Sequence, residues 1–157
     1  MEYKPERADE NLYKYQLIVF LDTETKLHIT LKRRFGLLGG YSRKEMVSDF
    51  KNTIEAHKPF TISRGKPGRY EGGPDYYSIE STELSELLLK ILRVLEGKIR
   101  TRDLDYEGIF HISIDSPEKT AVIKGQDSWL VREVWLQEGA RGEVGKQTIC
   151  FIMKESS

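Results

Sequence analysis

This chain has little with which to cross-link, anchor or charge itself. Of its 157 residues only Cys150 is a cysteine, so no disulfide can form within the chain. That residue lies in the apolar run Ile149-Cys150-Phe151-Ile152-Met153 and reads as a buried small hydrophobe, since reactive thiols occupy exposed electropositive surroundings. No run of about 18 apolar residues occurs, which excludes a membrane-spanning helix. Met1 to Glu10 are polar and charged and lack the apolar centre of a signal peptide, so a cytoplasmic protein is expected. An excess of either charge is missing too: 25 Lys and Arg balance 25 Asp and Glu. Such a chain gains little long-range attraction to duplex nucleic acid, but it can still hold one phosphate or a strand end in a local basic pocket. Histidine is scarce, with three in all.

What is present suits a soluble globular protein: 38% hydrophobic and 32% charged residues. At this length roughly two-thirds of the unfolded surface can be buried, so no metal or disulfide staple is required. A single domain over 1–157 is expected, with residues 1–14 as a polar lead-in.

Tyr15 to Leu21 (YQLIVFL) is a short apolar run of strand formers, and Leu27 to Phe35 (LHITLKRRF) alternates with period 2. The polar turn Asp22 to Lys26 lets the two pair as a hairpin. After a loop from Gly36 to Tyr41, Ser42 precedes Glu45 by three residues, a capping-box pattern, and Met46, Phe50 and Ile54 form one helical face. Phe60 to Ser63 reads as a strand, and Gly65 to Gly73 as a hairpin tip or binding loop. Tyr76 to Glu80 follows as a strand. Ser81 or Thr82 starts a second helix with a broad Leu/Ile stripe, stopped at Gly97. Glu107 to Ile114 is a further strand, and Ser116-Pro117-Glu118 opens a short helix. Trp129 to Gln137 and Lys146 to Lys154 read as two closing strands joined around Gly139, Gly142 and Gly145. This order predicts an α+β domain of antiparallel sheet covered by helices. It also carries a faint duplication, in which a motif strand is followed twice by a helix and returning strands.

The chemistry is concentrated in two tetrads, His28-Ile29-Thr30-Leu31 and His111-Ile112-Ser113-Ile114. On a strand, residues i and i+2 share a face. His28 therefore projects with Thr30, and His111 with Ser113, while the alternate residues point into a core. Two such pairs facing a groove supply two proton-transfer groups and two hydroxyl donors. Phosphodiester cleavage needs one neutral imidazole to take a proton and one protonated imidazole to give one to the departing oxygen. Histidine suits both tasks. The hydroxyls can donate to phosphate oxygens as charge builds. The scheme calls for neither metal nor cofactor.

These motifs resemble the 2H phosphoesterase superfamily, in the branch named for RNA 2′,3′-cyclic phosphodiesterase and 2′–5′ RNA ligase activity. Its signature is two copies of His, apolar, Thr or Ser, apolar, and the copies here are 83 residues apart. HITLKRRFG, HKPFTIS, DYEGIFHISI and VREVWLQEG also resemble segments around the family's motifs, so the likeness spans roughly residues 15–154. It implies two pseudo-symmetric lobes of antiparallel sheet flanked by helices around a central active-site cleft. It further implies hydrolysis of cyclic or 2′–5′-linked phosphodiesters, with RNA ends, oligonucleotides or cyclic nucleotides as substrates of a monomeric enzyme. In the cyclic case the family mechanism has His111 activating water and His28 protonating the leaving ribose oxygen, with Thr30 and Ser113 on the phosphate. The chain departs from the family in having only the turn Asp22 to Lys26 where a helix usually precedes the first histidine. A ligase running in reverse and a non-catalytic RNA-end binder are the alternatives.

Around the tetrads, alternation puts Lys32 and Arg34 on the face of His28, where they either attract phosphate or end a solvated strand. Arg64, Lys66 and Arg69 fit a nucleotide backbone or an exposed hairpin equally. Tyr76, with Tyr70 and Tyr77, either stacks a base or packs a sheet. At most one of Arg132 and Trp135 lines the groove, because their odd spacing puts them on opposite faces. His57, at a helix end, reads as a cap or a solvent-facing residue.

Overall fold

A computed structural model describes residues 13–101, 108–139 and 147–154. Its first strands, β1 (Tyr15–Asp22) and β2 (Leu27–Leu37), pair antiparallel across the expected turn. The Asp22 carboxylate fastens that turn, accepting from the Thr25 backbone N–H at 2.9 Å and from Thr25 Oγ1 at 2.6 Å. Lys26 closes it in the left-handed region, φ 65°, a conformation that a non-glycine residue adopts only when its surroundings enforce it. Helix α1 (Arg43–Glu55) starts at Ser42 with both halves of the capping box formed and buries Met46, Phe50 and Ile54 completely.

The hairpin of β3 (Phe60–Arg69) and β4 (Asp75–Ile79) comes next. Ser81 caps α2 (Thr82–Leu95), and the chain leaves that helix through Gly97 at φ 74°. A short strand β5 (Ile99–Thr101) precedes β6 (Phe110–Ile114), which carries the second tetrad. Ser116 caps α3 (Pro117–Gly125), with Pro117 in its first turn. The remaining strands are β7 (Ser128–Val131), β8 (Glu133–Glu138) and β9 (Gln147–Ile152).

The strands join in one antiparallel sheet ordered β7-β3-β4-β6-β2-β1-β8-β9, with β5 also paired to β2. The architecture is thus α+β, and the two tetrad strands lie side by side at its centre. Each heads one lobe, β6-β4-β3-β7 on one side and β2-β1-β8-β9 on the other. The duplication read in the sequence is exchanged in space. Hairpin β3–β4 follows the first motif but pairs with β6, while β8 follows the second but pairs with β1. Leu17, Val19, Ile29 and Ile112 line one sheet face and share a single core with α1, α2 and Ile123 of α3. The helices therefore cover that face.

Several elements differ from the sequence reading. β2 continues through Gly36 and Leu37, because β5 pairs with Phe35 to Leu37. β3 runs on to Arg69, because a register shift between Arg64 and Pro67 absorbs the irregular Arg64-Gly65-Lys66-Pro67 stretch within the hairpin. The single strand expected over Trp129 to Gln137 is two strands, broken at Arg132, whose carbonyl accepts from the Met153 N–H at 2.8 Å. β5 has only three residues, too few for a periodic signal. Most of the polar lead-in, Glu107, Gly142, Gly145 and Lys146 lie outside the described residues.

The Phe50 ring packs edge-on to Phe35 and to Phe151, with ring centroids 6.0 Å away in each case, joining α1 to β2 and β9. Phe50→Ala is expected to lower unfolding free energy by about 3–5 kcal/mol, measured by urea titration. A loss below about 1 kcal/mol would show that this aromatic contact does not hold α1 to the sheet.

Candidate active site

Ile29 of β2 pairs with Ile112 of β6, and both are fully buried on the helix-covered face. Their sequence neighbours point the other way. Continuing the antiparallel register by one residue in each direction sets His28 across from Ser113 and Thr30 across from His111. Two imidazoles and two hydroxyls thus meet on the face that the helices leave open, in an approximately two-fold arrangement.

The two histidines are held differently. His28 Nδ1 lies 2.8 Å from the carbonyl of Lys26, the left-handed residue that closes the β1–β2 turn. The Phe20 ring meets it edge-on at 6.1 Å, and Trp135 meets Phe20 at 6.0 Å. Burial pushes the His28 pKa below the ordinary histidine value. The Lys26 carbonyl opposes this shift, Lys119 adds to it, and Asp115 opposes it. The latter two form an ion pair of 2.8 Å at the start of α3.

His111 stacks on Tyr76, with centroids 4.1 Å apart and planes 27° from parallel. The sheet positions that ring, since Tyr76 pairs with Ser113 on one side and with Gly68 on the other. A Cβ at Gly68 would lie 2.5 Å from the Tyr76 ring, so the ring's place requires glycine there. Tyr70, at the β3–β4 turn, puts its hydroxyl 3.1 Å from His111 Nδ1 and 3.2 Å from Ser113 Oγ. Its backbone is fixed by the Tyr70 N–H donating to the Pro74 carbonyl at 3.1 Å and the Gly73 N–H donating to the Tyr70 carbonyl at 3.0 Å. Burial also lowers the His111 pKa, and the positive charge of Arg33 lowers it further.

The structure therefore brings together His28, Thr30, His111, Ser113 and Tyr76, but neither Lys32 nor Arg34 joins them. Ile18 pairs with Thr30, yet Leu17 pairs with Lys32, so β2 gains one residue there. That bulge turns Lys32 to the core side with Leu17, where it is 0% exposed. Its Nζ donates to the Arg33 carbonyl at 3.1 Å and to Thr101 Oγ1 at 3.4 Å, and lies 5.3 Å from the Phe35 ring centre. Arg33 takes the side that alternation assigns to Lys32, which explains its effect on His111. Arg34 donates to the carbonyls of Tyr13 at 3.3 Å and Gly139 at 3.0 Å. It ties strand ends together roughly 13 Å along β2 from Thr30.

Other sequence candidates divide by face. Trp135 lies on the open side, paired with Ile18, while Arg132 sits in the break between β7 and β8. Tyr77 pairs with Ile112 on the core side, under the Arg64 guanidinium at 5.2 Å. Arg64 donates to the Ile123 carbonyl at 2.8 Å, and Arg69 to Asp75 at 2.7 Å. Lys66 is exposed on the outer part of β3. His57 is buried against Phe60 rather than solvated. Cys150 is half-buried beside Trp135, not fully buried, and burial and Glu133 push its thiol up to about 12. Tyr70 and Arg33 are the site residues that alternation did not single out. Among the described residues no three His, Cys, Asp or Glu side chains gather into a set that could hold a metal ion.

Both imidazoles should titrate below the ordinary value of about 6.5. Histidine proton shifts followed by NMR against pH test this, and a midpoint above about 6.5 for either ring contradicts it. Gly68→Ala should drive the Tyr76 ring off His111 and shift the His111 ring-proton resonances. Unchanged resonances would show that the stack does not depend on the missing Cβ.

No protein-family model and no curated protein sequence matches this chain. Solved structures do match. One described as a phosphoesterase aligns with a TM-score of 0.53 at 13% identity, over 90% of this chain and 96% of its own. Another, E. coli LigT complexed with 3′-AMP, aligns over 91% of this chain and 96% of its own at 14% identity, with a TM-score of 0.44. The likeness to the first runs nearly end to end in both chains, and at that identity it is a likeness of fold. No described helix is long and apolar enough to cross a membrane. The two-lobed α+β architecture implied by the resemblance is the one this chain adopts, and its fold is shared with a solved phosphoesterase.

Proposed function

We propose that this protein is a phosphodiesterase of the two-histidine kind, acting on cyclic 2′,3′ or 2′–5′-linked phosphodiesters at RNA ends, in oligonucleotides or in cyclic nucleotides. The observation that carries this reading is the pairing of Ile29 with Ile112. Continued by one residue on each side, that register turns His28 with Thr30, and His111 with Ser113, toward one open face, an arrangement that suits a phosphate held between two imidazoles. The phosphoesterase-like fold supports the same reading.

The chemistry follows from those side chains. One imidazole takes the proton of the attacking water as its oxygen bonds to phosphorus. The P–O bond to the leaving ribose oxygen breaks, and that oxygen takes a proton from the other imidazole. The hydroxyls of Thr30 and Ser113 donate to the non-bridging oxygens as their charge grows. Arg33, whose charge opposes protonation of His111 in the free site, is offset once an anionic phosphodiester lies nearby. Substrate arrival thus favours the protonated partner that the reaction needs. The aromatic groups on either side, Phe20 with Trp135 and Tyr76 with Tyr70, offer flat apolar surfaces to a base.

Hydrolysis of 2′,3′-cyclic and 2′–5′-linked substrates should persist in EDTA and fall about 100- to 10,000-fold in His28→Ala and in His111→Ala. The acid limb of kcat/KM reports the imidazole that must lose its proton, and the alkaline limb the one that must keep it. Both groups are held below the ordinary histidine value, so the optimum should fall on the acid side of about 6.5. Loss of activity on chelation, or an almost unimpaired His111→Ala protein, overturns the two-imidazole reading. Tight binding of RNA ends without turnover would instead make the protein a binder.

A further inference from the structure

The two-fold arrangement of the tetrads stops at the second partner of each imidazole. His28 Nδ1 meets a carbonyl oxygen, which can only accept, so Nδ1 carries a proton in every charge state of that ring. Its Nε2 is bare whenever the ring is neutral. His111 Nδ1 meets the Tyr70 hydroxyl, which also reaches Ser113 Oγ. That hydroxyl can donate to either neighbour but has only one proton.

Two hydrogen-bond directions are therefore open along Ser113, Tyr70 and His111. A phenol O–H is a better donor than a serine hydroxyl or a neutral imidazole N–H, and an imidazole nitrogen is the best acceptor among the three groups. With His111 neutral, Ser113 donates to Tyr70 and Tyr70 donates to Nδ1, which leaves the ring proton on Nε2. With His111 protonated, Nδ1–H donates to Tyr70 and Tyr70 donates to Ser113 Oγ. The Ser113 proton is then released toward the groove.

We propose that Tyr70 is a positioning residue that makes His111 the proton donor and couples its protonation to the turning of the Ser113 hydroxyl onto phosphate, leaving His28 as the general base. The inference rests on the phosphodiesterase reading and reverses the roles that the family resemblance implies. In the step itself, the proton of water moves to His28 Nε2 as the new O–P bond forms. The leaving ribose oxygen takes the Nε2 proton of His111 as its bond to phosphorus breaks. His28 ends protonated and His111 neutral, and exchange with solvent restores both.

The tautomers can be read without any substrate, from nitrogen-15 and proton correlation spectra of the full chain at a pH where the rings are neutral. His28, which faces Lys26, Asp115 and Lys119, should carry its proton on Nδ1 in both the wild type and Tyr70→Phe. His111, which faces Arg33, Tyr70 and Tyr76, should carry it on Nε2 in the wild type and lose that preference in Tyr70→Phe. A wild-type His111 protonated on Nδ1, or a preference unchanged in Tyr70→Phe, overturns the assignment.

Kinetics then separate the roles. On a ribose leaving group, Tyr70→Phe should lower kcat about tenfold with little change in KM. A phosphodiester with a nitrophenol leaving group needs no acid, so it should restore most of the loss in Tyr70→Phe and His111→Ala, but not in His28→Ala. Rescue of His28→Ala instead makes His28 the acid and refutes the proposal. If no phosphodiester is turned over, the parent reading fails, while the spectra still decide the role of Tyr70.

Discussion

The contact between Ile29 and Ile112 is the constraint on which the rest of the site depends. It is a cross-strand pair between β2 and β6, and so it joins the two lobes at the middle of the sheet. Burying each isoleucine contributes roughly 1.5–3 kcal/mol. The pairing also decides which side chains face each other on the opposite surface. A slip of one residue would move each histidine to the face that packs against the helices. The apolar positions of the tetrads are therefore as much a part of the site as the polar ones.

Backbone symmetry at this seam does not extend to the electrostatics. His28 is enclosed by Phe20 and flanked by the Asp115–Lys119 pair. His111 lies against Tyr76 and feels Arg33. Burial comes first among the causes lowering each pKa, so the surroundings of both rings disfavour imidazolium. Under the proposed function, an anionic phosphodiester between the rings compensates for that cost, and a proton is taken up together with it.

The shortened first lobe belongs to the same account. Where the resembling family places a helix, this chain has Asp22 to Lys26, fastened by Asp22 to Thr25 and closed by Lys26 at φ 65°. That conformation belongs to the residue whose carbonyl meets His28 Nδ1. A tight turn thus joins β1 to β2 and also fixes the imidazole. The opposite lobe uses a turn as well, but it presents the Tyr70 hydroxyl rather than a carbonyl.

Much of the fold was legible in the sequence because its signals are local. The capping box at Ser42, the stripe on α2, Pro117 in the first turn of α3 and the alternation around each histidine depend on residues close in the chain. They placed the helices, the two motif strands and the pairing of each histidine with its hydroxyl. The face of Lys32 was misread for a local reason too: period 2 holds only while a strand stays in register, and one extra residue opposite Leu17 reverses it. The shared lobes, the seam at Ile29 and Ile112, the nearness of Arg33 to His111 and the reach of Tyr70 are different in kind. They join residues up to 123 positions apart, as Tyr15 and Glu138 are. The sequence alone determined which side chains each strand would offer to the open face. The tertiary structure decided which of them meet, because register and proximity belong to the partner strand as much as to the chain that carries the motif.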